Sequence, residues 1–94
     1  MPTRIVVSLV IIPTKPPLRA LADVALQSSE GEITIRRCAV FEKEGQPPWA
    51  SLPRLQVDKN GKKQYVPLIE LSRDLKTRVV DAVLAEYKAK TYAR

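Results

Sequence analysis

The sequence predicts an α+β fold, an antiparallel β-sheet with a C-terminal amphipathic α-helix packed on it, in a single domain of 94 residues. Period-two alternation of apolar and polar residues, punctuated by Pro, Gly and Ser turns, runs through the first two-thirds of the chain. An Asn60-Gly61 pair between two strand-like arms marks a tight hairpin, because both residues accept the positive φ of a type I′ turn. The stretch LSRDLKTRVVDAVLAEYKAK then changes to helical spacing, and strands followed by one helix make an α+β domain.

Each element follows from its residues. Ile and Val dominate both faces of residues 4 to 12, which suits a strand covered on both sides, by a helix and by a second subunit, and Pro13, Pro16 and Pro17 stop it. A second strand, Leu18 to Leu26, puts Leu18, Ala20, Ala22, Val24 and Leu26 on one face, with Arg19 and Asp23 on the other. SSEGE turns the chain into a third strand, Ile33 to Phe41. Strict alternation there sets Ile33, Ile35, Arg37, Ala39 and Phe41 against Thr34, Arg36, Cys38 and Val40. A short extended piece leads from Trp49 to Leu52-Pro53 and into the hairpin, with Leu55 and Val57 on one arm and Tyr65 to Leu68 on the other. In the helix, Leu75, Val79, Val80, Val83, Leu84 and Tyr87 gather on one face, while Arg78, Asp81, Ala85 and Lys88 point away. Ser72 is placed to cap its first turn.

A chain of this length hides only about two-thirds of its unfolded surface, so its core is thin and a homodimer sharing a hydrophobic face is the expected assembly. The run IVVSLVII is too short to span a bilayer and lacks the flanks of a secretory signal, and a single cysteine with no metal-ligand spacing fits a reducing cytoplasm. Enzyme chemistry finds no footing. There is no histidine to act as general base, and Cys38 sits in an apolar-patterned strand as a buried thiol. Glu42 and Glu44 read as a solvated turn, and no glycine-rich phosphate loop or cofactor motif is present.

Charge carries the functional signal. The net charge is +6, and residues 54 to 78 hold seven basic against three acidic side chains, two-thirds of the excess in about a quarter of the chain. Arg54, Lys59, Lys62 and Lys63 belong to the hairpin, and Arg73, Lys76 and Arg78 open the helix. If they converge, they form one cationic surface for phosphates. Lysines at a hairpin tip also serve solubility alone, and an acidic partner protein would suit the same charge. Arg36 and Arg37 point to opposite faces of a regular strand, one of them paired with Glu32 or Asp23. Trp49 reads as a core anchor, and Tyr65 and Tyr92 as packing or stacking residues.

The runs LRALADVAL and WASLP, the Gly61 turn, the VPL at Val66 to Leu68 and above all DAVLAEY at Asp81 to Tyr87 together resemble the stage V sporulation protein G (SpoVG) family over residues 18 to 88. The resemblance implies a small homodimeric α+β bacterial regulator that binds DNA, and sometimes RNA. It also implies contacts from basic residues just after the methionine-proline turn and around the helix. Here the turn is Leu52-Pro53 and Arg54 follows it. Leu55 and Gln56 replace the family's usual Lys-Arg pair, and positive charge appears instead at Lys59, Lys62 and Lys63. The expected partners are nucleic acid, DNA over RNA, and a second copy of the chain, with no cofactor, no metal and no membrane.

Overall fold

The computed structural model describes residues 3–13 and 17–91, which leaves Tyr92 outside the described residues. Strands β1 (Arg4–Ile11), β2 (Leu18–Ser28), β3 (Gly31–Phe41) and β4 (Trp49–Ser51) form an antiparallel sheet in the order β1-β2-β3-β4. Strands β5 (Arg54–Lys59) and β6 (Lys62–Pro67) form a second, two-stranded sheet, and helix α1 (Arg73–Thr91) closes the chain. The architecture is α+β, as the order of patterns predicts.

Helix α1 lies on one face of the four-stranded sheet. Val79, Val83 and Tyr87 are buried against Leu9, Ala20, Ala22, Val24, Ile35, Cys38 and Val40. The two alanines of β2 are small enough to let the helix approach closely, and each fully buried Val contributes roughly 1.5–3 kcal/mol relative to exposure. The face predicted for α1 is the one that packs, with Leu75, Val80 and Leu84 half-buried at its margins. Ser72 caps the helix, its Oγ accepting from Leu75 N at 3.4 Å. Tyr87 donates its hydroxyl to Glu42 Oε1 at 2.6 Å, tying the helix to the start of the β3–β4 connection.

The structure departs from the sequence reading in two places. Strand β3 does not alternate strictly. Ala22 pairs with Cys38 and Val24 with Ile35, so Asp23 alone stands opposite both Arg36 and Arg37. This β-bulge reverses the phase of the strand, which is why Ile35, Cys38 and Val40 all face the helix and both arginines reach solvent. Asp23 holds the bulge by accepting from Arg36 Nη1 at 3.0 Å and from the Arg37 backbone amide at 3.2 Å. Pairing of one arginine with Asp23 is as expected; the two arginines share the open face, where opposite faces were expected.

Strand β1 is an edge strand whose helix side is covered as expected, while none of the described residues covers its other side. Ile5, Val7 and Leu9 face the helix, while Val6 and Val10 are 38% and 63% exposed on the open face. Its free edge is occupied from α1, where Arg78 donates to Thr3 O at 2.7 Å and Lys90 Nζ to Leu9 O at 2.6 Å. The second departure is the hairpin, which extends from the main sheet instead of joining it. Its base is closed by a hydrogen bond from Leu68 N to Pro53 O at 3.1 Å, and β5 and β6 pair only with each other. Among the described residues no helix is long and apolar enough to cross a membrane.

Candidate nucleic-acid interface

The Asn60-Gly61 turn determines the register of the arm. Asn60 and Gly61 have φ of 54° and 75°, the left-handed pair of a type I′ turn, and this sets Lys59 opposite Lys62, Asp58 opposite Lys63 and Arg54 opposite Pro67. Two like charges directly opposite at the tip repel one another, a cost that an anionic ligand would relieve. The same register places Tyr65 diagonally from Arg54, whose guanidinium carbon lies 4.3 Å from the ring centroid. That stack orients the arginine head and keeps its edge available for hydrogen bonds.

Arg54 then meets the helix. A groove of about 300 Å³ runs between the base of the arm and the first turn of α1, walled by Arg54, Tyr65, Pro67, Ile69 and Lys76, with no acidic residue in its lining. A neighbouring hollow on the helix carries Arg73 and Lys76 beside Asp81. The structure therefore brings together Arg54 and Lys76, with Arg73 adjacent. Lys59, Lys62 and Lys63 sit at the far end of the arm, five residues or about 17 Å from Arg54 at strand spacing. Arg78 does not join them. It lies toward the β1 edge, opposite the β4 edge from which the arm springs, and is engaged with the Thr3 carbonyl. All seven predicted cations are exposed, and none forms an ion pair with a described residue.

One further position differs from expectation. Trp49 is 39% exposed, not a core anchor, and its ring stacks on Phe41 with centroids 5.5 Å apart on the open face of the sheet. On that face Arg36, Arg37 and Arg54 surround a second hollow of about 400 Å³, floored by Phe41, Leu55 and Leu68 and again without an acid in its lining. The bulge that delivers Arg37 to this hollow has no signature in the strand's own residues. The Arg54–Tyr65 stack, by contrast, could be read from the sequence once the turn is centred on Asn60-Gly61.

The remaining chemistry is quiet. Burial, and then the nearby Asp23 charge, push the Cys38 thiol up to about 11, so it is neutral and unreactive near pH 7. Tyr87 is also raised, chiefly by burial and next by its bond to Glu42, with Arg19 pulling the other way. No three His, Cys, Asp or Glu side chains among the described residues are grouped to hold a metal ion. No family model, no curated protein and no solved structure matches the chain.

Proposed function

We propose that this protein is a small non-enzymatic nucleic-acid-binding regulator of the stage V sporulation protein G type, working as a homodimer and taking DNA in preference to RNA. The observation that carries the reading is the meeting of Arg54 and Lys76, far apart in sequence, in one acid-free groove beside an exposed tyrosine. Lys63 shares the arm face of Arg54 and Tyr65, and Lys59 and Lys62 flank the tip on the other face, so a polyanion held at the base meets Lys63 along the arm and the other two lysines only around its tip. Such contacts supply affinity and register, while base identity is read weakly, because no row of Asn, Gln and Arg is offered to base edges. The resemblance over residues 18 to 88 points the same way.

The test is a titration of labelled oligonucleotides at several salt concentrations. If about four to six cations reach phosphates, log K falls with log salt at a slope of about −4 to −5 on duplex DNA. Lys62→Glu with Lys63→Glu, and separately Arg54→Glu, each weaken binding more than about tenfold, since each charge reversal replaces an attraction by a repulsion. A well-folded protein that shifts no oligonucleotide at low salt would instead be a module that docks an acidic partner protein.

A further inference from the structure

The groove beside the helix and the hollow on the open sheet face lie on opposite sides of the sheet's β4 edge, and they meet. Ala50 and Ile69, in the groove, pack toward the core under α1, whereas Ala39, Phe41 and Ser51, in the hollow, belong to the face that α1 leaves open. Ser51, Leu52, Pro53 and Arg54 line both. Arg54 thus stands on the ridge, with Lys76 on one side and Arg36 and Arg37 on the other.

We infer that this paired site is a track for single-stranded nucleic acid, which passes around the sheet edge over Arg54 and lays an unpaired base in the hollow of Arg36, Arg37 and Phe41. The inference rests on the nucleic-acid reading above and narrows it to the single-stranded class. Duplex DNA is stiff over about 150 base pairs and cannot turn around an edge one strand thick, whereas a single strand can. The hollow also has what an unpaired base and its phosphate require: an apolar, aromatic floor beside the guanidinium groups of Arg37 and Arg54, with Arg36 already paired with Asp23. Trp49, stacked on Phe41, extends the aromatic surface for a neighbouring base.

Arg37 supplies an independent argument. Its φ is 64°, the left-handed region that Gly or Asn occupies at lower energy, yet an arginine stands there with its side chain on the hollow. Local strain of this kind is retained where a side chain has a task that glycine cannot perform. The same feature makes the position unusually testable, because Arg37→Gly removes the cation while relaxing the backbone.

The experiment measures fluorescence anisotropy of labelled oligonucleotides of about 20 nucleotides, single-stranded and as the duplex of the same sequence, with Trp49 emission followed in parallel. The single strand is expected to bind at least about tenfold more tightly than the duplex and to quench Trp49. Arg37→Gly and Arg37→Asn should each weaken single-strand binding about tenfold and shrink its salt slope by about 0.7, with duplex binding changed less than about twofold and thermal stability not lowered. Single-strand affinity unchanged in both variants overturns the track. Duplex binding alone, sensitive to Arg54→Glu, leaves the proposed function standing and removes only the track. Binding of neither polymer at low salt removes both. A sedimenting mass that changes in Arg37→Glu, without single-strand binding, assigns the hollow to a second copy.

Discussion

Cys38 shows how a neutral group can govern alkaline stability. Its thiol is 1% exposed and titrates at about 11, against an ordinary 9.0. Because the folded value is the higher one, the unfolded chain releases this proton first, so the contribution is fully present below pH 9 and is lost as pH rises toward 11. Two units correspond to about 2 to 3 kcal/mol. Urea titrations at rising pH should therefore show stability falling through that window, and Cys38→Ala should flatten the part of the fall owed to the thiol, at a cost of about 1 kcal/mol near neutral pH. A wild type and variant with parallel profiles would contradict this assignment. The bulge opposite Asp23 gives a second case. Asp23→Ala removes the acceptor of both the Arg36 side chain and the Arg37 amide, and since this ion pair is largely solvent-exposed, the expected loss is about 1–2 kcal/mol, mostly from the backbone bond. Arg37→Gly moves the other way, raising the melting temperature by several degrees for about 1 kcal/mol of relieved strain.

The elements differ in how far their own residues determine them. Strand β2 and helix α1 were legible because the packing face of each repeats without interruption: Ala20, Ala22, Val24 and Leu26 at period two, Val79, Val83 and Tyr87 at helical spacing. The arm was legible in register, since a two-residue Asn-Gly turn leaves one pairing, and that pairing brings Tyr65 to Arg54. Strand β3 was not, because its phase is reversed by a carboxylate from another strand, and no pattern within residues 31–41 records what Asp23 does from across the ladder. Nor was the separation of β5 and β6 from the sheet, which depends on the path of the chain through Leu52-Pro53. The candidate site divides accordingly: Arg54 and Lys76 were foreseen as neighbours, Arg78 was foreseen there wrongly, and the hollow of Arg36 and Arg37 was hidden behind the bulge. Since an isolated two-stranded hairpin is only marginally stable in water, the arm should open independently of the body. Hydrogen exchange is expected to show the paired arm amides Val57 and Gln64 protected at least about a hundredfold less than Val24 and Val40. Equal protection would mean that the arm is held by contacts outside the single chain.

The whole chain is flat, with extents of 45 × 40 × 20 Å, and its radius of gyration of 14.4 Å exceeds the roughly 12 Å expected of a compact domain of this length. The arm accounts for the excess at one edge of the sheet. At the other, the open face presents Val6 and Val10 beside half-buried Leu21 and Ala25, an apolar flank covered by none of the described residues. Two strongly basic copies can associate only where their charges do not meet. This flank satisfies that condition: the positions from Val6 to Val10 and their β2 partners carry a single charged side chain, Asp23, which is already joined to Arg36. Leu21 of the flank pairs with Ala39 of the hollow, so a second copy seated on the flank would lie beside the hollow, and one polynucleotide could engage the tracks of both copies and gain avidity beyond either alone. Sedimentation equilibrium is expected to return twice the mass of the chain, and Val10→Lys, which places a charge in the flank without touching the helix-facing core, the mass of one. If the flank is the interface, the variant should also lose avidity on long oligonucleotides while keeping wild-type affinity for strands short enough to fill one track. Loss on both lengths would mean that Val10 lies within the nucleic-acid surface itself, and a wild type sedimenting at the mass of one chain would rule out the homodimer.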